Sequence, residues 1–259
     1  MAEDDRGLHY DQEANIDDAI RAQERAIEKE VATTQALISD RLDFSVLEEQ
    51  YSSDEAYLLK VRELRTKYTD FRKTRGDGNC FFRAFGFRYL EQLLEDSAEC
   101  KKFKQRATQC KDDLISLGYS QFTVGDFHDY FMEVLEKVEN HCTVEELLEI
   151  FRDQANSDYL VVYLRLFVSA YLQKEHEFFS CFMEDGKMVS DFCSQEVEPM
   201  NRESDHIHIA ALTKMVEVPI RVVYMDRMGT TLTTHDFLDD APPKIVLLYR
   251  PGHYDILYF

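Results

Sequence analysis

Gly76-Asp77-Gly78-Asn79-Cys80-Phe81-Phe82-Arg83-Ala84-Phe85 joins a polar glycine turn to an apolar helical run. Gly78 and Asn79 are loop formers, so Cys80 is expected to open a helix. The free amides and the macrodipole of a helix N-terminus favour the thiolate, the nucleophilic form of cysteine. The amides of Asp77, Gly78, Asn79 and Cys80 are expected to point into one space and stabilise a tetrahedral oxyanion. A cysteine alone carries little, because most are ordinary small buried residues. Cys100, Cys110, Cys142, Cys181 and Cys193 have no glycine loop before them and fall under that reading, with Cys100 and Cys110 flanking charged helix surface.

Near the other end the chain reads Arg250-Pro251-Gly252-His253-Tyr254-Asp255-Ile256-Leu257. Residues two apart on a strand leave the same face. Asp255 can therefore accept from one ring nitrogen of His253 while the other faces Cys80, as an orienter and a base would. Tyr254 and Ile256 are expected on the opposite face, toward the core. Taken alone, His-x-Asp on an exposed strand is a solvated polar face. Joined to Cys80, it completes the parts of a thiol nucleophile. His206 and His208 form a competing pair, but residues two apart on a helix do not share a face. No third ligand follows at suitable spacing, so neither a metal nor another cofactor is expected.

The chain has 259 residues, 44% of them apolar, which is enough for a sizeable core. Its net charge of −20 disfavours nucleic acid and anionic membrane as partners and suits soluble proteins with basic faces. The six cysteines show neither a disulfide framework nor a Cys-x-x-Cys pair, and no secretory signal is evident. Reduced thiols, a monomer, and the cytoplasm with access to the nucleus are the expectation. The longest apolar run, residues 159–172, is interrupted by Arg165 and is shorter than a membrane span needs. It is expected to be a buried core helix.

Residues 1–14 are polar and charged and are expected to form a disordered tail. Asn15 then caps an amphipathic helix whose thin apolar stripe is Ile16, Ile20, Ile27 and Val31. This arm, residues 15–38, either packs on its own domain or docks on a partner. Residues 42–68 and most of 96–200 have helical periods, with starts expected at Thr123, Thr143 and Asp158. After Glu203 the pattern changes. A helix capped by Asp205 is followed by strands at 220–223, 230–234, 245–249 and 253–258. Helices first and strands last argue α+β with a small C-terminal sheet.

Several stretches carry a family resemblance: residues 72–81, 157–166, 195–200, 203–209 and 247–258. Together they resemble the otubains, cysteine deubiquitinases of the ovarian-tumour (OTU) superfamily, from about residue 39 to residue 259. The resemblance implies a papain-like thiol fold over 39–259, with Cys80 as nucleophile, His253 as base, Asp255 as orienter and the Asp77–Cys80 turn as oxyanion hole. It implies isopeptide bonds in polyubiquitin as substrate, with a preference for the lysine-48 linkage. It also implies a ubiquitin-binding surface near His206 and Pro251, and a regulatory Glu203 that holds the histidine off line. The resemblance further implies binding of ubiquitin-charged conjugating enzymes without use of the thiol, which assigns the arm to partner docking. Gly76, where proline is expected, and the first 15 residues depart from the family pattern.

Overall fold

Apolar strands near the C-terminus build the sheet around which the rest of the molecule is arranged. The computed structural model describes residues 23, 30, 31, 33–183, 186–238 and 241–259. The chain divides into two compact units, Met1–Ala36 and Leu37–Phe259. In the first, Val31 is half-buried in a helical turn, and Ile16, Ile20, Ile27 and the tail lie outside the described residues.

The second unit contains α1 (Ser45–Gln50), α2 (Glu55–Lys67), β1 (Asp70–Arg72), α3 (Cys80–Leu93), α4 (Ser97–Ser116), α5 (Gln121–Glu139), α6 (Val144–Arg152) and α7 (Gln154–Lys174). The short helices α8 (His176–Phe179) and α9 (Val189–Phe192) lead to α10 (His206–Val216) and then β2 (Ile220–Tyr224), β3 (Thr233–Phe237), β4 (Ile245–Arg250) and β5 (His253–Tyr258). The sheet order is β1-β5-β4-β2-β3. β2 and β4 run parallel, and the other pairs are antiparallel.

Both faces of this sheet are covered, which explains the unbroken apolar run of β4. Tyr254, Ile256 and Tyr258 of β5 join the main core, built with α3 to α7 and α10. Leu257 faces a second cluster, where Leu47 of α1 and Tyr57, Val61 and Leu64 of α2 pack on Val246 and Leu248. Asp255, on the same face as Leu257, is likewise buried rather than solvated. Helix α3 is buried nearly all round, as its Phe-rich sequence requires. At Gly86 an added Cβ would come within 2.9 Å of Leu164, so this glycine lets α3 approach α7.

Several boundaries differ from the sequence reading. β1 has no three-residue pattern of its own. It is drawn into the sheet by pairing Phe71 with Leu257. α5 starts at Gln121 behind Ser120, not at Thr123, and α7 starts at Gln154 because Asp153 caps the Asn156 amide at 2.9 Å. Thr143 does open α6, with a reciprocal Glu146 capping box. β3 lies three residues later than expected at its start. Cys100 and Cys110 are fully buried, since the apolar side of α4 faces the core while its lysines face out. All six cysteines are free.

Candidate active site

Cys80 is the first residue of α3 and is 4% exposed. His253 and Asp255 enter from β5. His253 Nε2 meets Asp255 Oδ1 at 2.9 Å, and His253 Nδ1 lies 3.5 Å from the Cβ position of Gly76, on the side of the turn before Cys80. Asp255 has no exposed surface. Its Oδ1 also accepts from the Thr74 amide at 3.0 Å, and its Oδ2 accepts from Arg250 Nε at 3.1 Å and Nη2 at 2.5 Å. A buried carboxylate with four donors is fully satisfied. Burial alone would raise the Asp255 pKa. The Arg250 charge and then the His253 hydrogen bond outweigh it and hold the carboxyl below its usual value.

Burial alone would lower the pKa of His253. Hydrogen bonds to Asp255 and Cys80 outweigh it and raise the pKa to about 9. The raised value stabilises the fold fully below about pH 6.5, and the contribution is lost as pH rises through about 9. We expect the urea midpoint to fall across that window. We also expect the His253 NMR titration midpoint in Cys80→Ala to lie below that of the parent chain. An unmoved midpoint would mean that Cys80 does not act on the ring.

The turn of residues 76–80 is held from inside. Arg83, fully buried one turn into α3, donates to both Asp77 oxygens at 2.8–2.9 Å, to Ser157 Oγ at 2.9 Å and to Asp158 at 3.3 Å. Asp77 Oδ1 in turn accepts from the Asn79 amide at 2.9 Å, and the Asp77 amide donates to the Arg75 carbonyl at 3.1 Å. These bonds correct the oxyanion-hole expectation. The amides of Asp77 and Asn79 are already used, which leaves those of Gly78 and Cys80 without a protein acceptor among the described residues. The Asn79 side chain is structural, bonded to Asn201 and Arg165. The sequence reading missed Arg83 and Arg165. Their only signal is an arginine inside an apolar helical run, which buried geometry must explain.

Gly78 has φ +74°, and an added Cβ would lie 2.4 Å from the Asn201 backbone. Gly76 has no such restriction, and its added Cβ would make only ordinary contact. Gly78→Ala is therefore expected to cost about 2 kcal/mol or more and most of the activity, whereas Gly76→Ala stays within about 0.5 kcal/mol. Thermal melts of the two variants compare them directly. Equal melting temperatures would contradict the geometry.

A cleft of about 280 Å³ runs beside Cys80, lined by Glu203, Ser204, Asp205, His206, Tyr224, Tyr249, Gly252 and Tyr254. Glu203 and His206 thus share a cleft with the thiol. Glu203 makes no hydrogen bond or ion pair among the described residues, and His253 pairs with Asp255 instead. His206 is exposed, stacked on Tyr224 and bonded to its hydroxyl at 3.0 Å. His208 is buried, with Nδ1 accepting from the Asp205 amide, so the two histidines diverge. Pro251 and Gly252 form the exposed β4–β5 turn, with Gly252 at φ +73° as a type II corner requires.

A model of the peptidase C65 otubain family matches residues 30–259. The chain belongs to the otubain family. It is 53% identical over 244 residues to ubiquitin thioesterase OTUB1 of Rattus norvegicus, covering 93% of this chain and 90% of that protein. It is 40% identical over 257 residues to the ovarian tumor domain-containing deubiquitinating enzyme 1 of Arabidopsis thaliana, covering 90% and 84%. Among solved structures, an OTUB1 in complex with ubiquitin aldehyde and UBCH5B~Ub superposes with a TM-score of 0.89 at 36% identity, covering 95% of this otubain and 98% of that chain. The fold is the helical otubain arrangement with a small mixed sheet, in agreement with the α+β reading. As a C65 peptidase, this otubain is a cysteine-type hydrolase.

Proposed function

We propose that this otubain hydrolyses isopeptide bonds in polyubiquitin, preferring the lysine-48 linkage, with Cys80 as nucleophile, His253 as base and Asp255 as orienter. The observation that carries the reading is one imidazole flanked by a helix-terminal cysteine and a fully buried carboxylate at the mouth of a cleft. Asp255 takes the Nε2–H hydrogen bond, leaving Nδ1 toward the thiol. His253, charged at neutral pH, holds the proton taken from the thiol, and the thiolate attacks the glycine carbonyl. The Gly78 and Cys80 amides donate to the oxyanion. His253 then returns the proton to the leaving lysine amine, and water hydrolyses the thioester by the reverse assistance. A cleft walled by Tyr249 and Tyr254, with a glycine at 252, suits a slender glycine-ended tail. His206 and Pro251 lie where the rest of ubiquitin would rest, and Glu203 stands beside the turn as the regulatory group.

A second activity is supported by the arm and by relatives solved with ubiquitin-charged conjugating enzymes. In this reading the arm, with Ile16, Ile20, Ile27 and Val31, docks on the charged enzyme and blocks transfer. Panels of diubiquitins, run with and without a ubiquitin-charged conjugating enzyme, test both. Lysine-48 chains should be cleaved at least about 10-fold faster than the others, a discrimination within reach of differential transition-state binding. Removing residues 1–35 should abolish inhibition of the conjugating enzyme while Cys80→Ala leaves it intact. Equal cleavage of all linkages would defeat the preference, and inhibition by the truncated chain would defeat the role of the arm.

A further inference from the structure

Arg165 interrupts the apolar run of α7 and yet is fully buried. Its Nη2 donates to the Gly78 carbonyl at 3.0 Å, to Asn79 Oδ1 at 2.8 Å and to the Arg202 carbonyl at 2.8 Å, and its Nη1 donates to the Val197 carbonyl at 2.9 Å. The guanidinium stacks over Phe82 of α3, 4.7 Å from the ring centroid. One planar group therefore ties the nucleophile turn to both ends of residues 197–202.

The two segments also touch directly. Asn79 Oδ1 accepts from the Asn201 amide at 2.9 Å, Asn79 Nδ2 donates to Asn201 Oδ1 at 2.8 Å, and Gly78 lies against the Asn201 backbone. One helical turn after Arg165, Ser169 Oγ donates to Glu198 at 2.7 Å, and Tyr119 donates to the same oxygen. Helix α7 thus grips the segment where it begins. The next residues, Glu203 to His206, wall the cleft beside Cys80.

We propose that Arg165 is a positioning residue for the acyl-transfer step, locking the oxyanion turn and the 197–206 cleft wall into a single unit. This rests on the thiol-isopeptidase reading above. Arg165 would not touch substrate. It holds the carbonyl between the Gly78 and Cys80 amides, and so fixes the direction of the two donors left for the oxyanion. Lysine cannot replace it. An ammonium keeps the charge but cannot hold four acceptors in one plane.

Arg165→Lys separates this role from bulk stability. Cys80 alkylation by iodoacetamide needs only an accessible thiolate and should stay within about 3-fold of the parent chain. KM for a ubiquitin C-terminal fluorogenic amide should also stay within about 3-fold, while kcat falls about 30- to 100-fold. Affinity for ubiquitin aldehyde, whose adduct with the thiol carries the oxyanion, should fall by about the same factor as kcat. Asn201→Gly keeps the left-handed backbone (φ 64°) at an exposed position and removes only the Asn79 partner. It should show the same pattern at about 3- to 10-fold, and it decides the matter if Arg165→Lys does not fold. Unchanged kcat and aldehyde affinity, or alkylation falling in step with them, would overturn the proposal. A parent chain that neither cleaves the amide nor binds the aldehyde would overturn the isopeptidase reading instead.

Discussion

Cys80→Ala is expected to lower cleavage of lysine-48-linked diubiquitin by about 10⁴-fold or more, since the nucleophile of a coupled set carries nearly all of its effect. The fold should survive. Cys80 is buried in the main core at the start of α3, and exchanging its sulfur for hydrogen costs about 1 kcal/mol. The cleft walls contributed by Glu203 to His206, Tyr249 and Tyr254 do not depend on the thiol. Ubiquitin binding should therefore persist in the variant, measurable by calorimetry. Retained cleavage would remove Cys80 from the chemistry. Lost binding would mean that the thiol shapes the cleft.

Asp255→Ala is expected to damage both stability and rate. It strips the carboxylate from Arg250, whose side chain is 12% exposed and keeps only the Tyr51 hydroxyl, and removes the acceptor of the buried Thr74 amide and of His253 Nε2. Leaving a buried guanidinium unpaired costs about 3–5 kcal/mol, which lowers the melting temperature by about 6–20 °C in a domain of this size. The imidazole loses the carboxylate that orients it and holds its charge, so kcat/KM should fall about 10³- to 10⁴-fold. Asp255→Asn should lie between the two. Its oxygen can still accept from Thr74 and His253, while its amide nitrogen faces Arg250 as a second donor. Calorimetric melts and steady-state rates of the pair check this ordering. An Asp255→Ala chain as stable as the parent would show that the Arg250 pair contributes nothing.

Much of this was legible before the structure. Thr143 with Glu146, Asp205 at the start of α10, and the Pro251-Gly252 corner are local signals, in which a side chain or a backbone angle serves residues no more than four away. β4 and β5 were legible because their apolar periodicity is independent of their partners. β1 was not, because three residues carry no period and become a strand only beside Leu257. The starts of α5 and α7 slipped because several capping residues stood in line and packing chose among them.

By itself the sequence determined the chemistry-bearing residue types: a cysteine behind a glycine turn and a histidine two before an aspartate. Both are short-range patterns. Only the tertiary structure decided how these groups are supported. It buried Asp255 fully and matched it with Arg250, the Thr74 amide and His253. It consumed the Asp77 and Asn79 amides in internal bonds. It turned Arg83 and Arg165 from interruptions of apolar helices into the braces of the nucleophile turn. The burial of Asp255 and the braces from Arg83 and Arg165 join residues distant in the chain, and the bonds of the Asp77 and Asn79 amides follow from the turn's local geometry. A buried charge reveals its purpose only when its partners are in place.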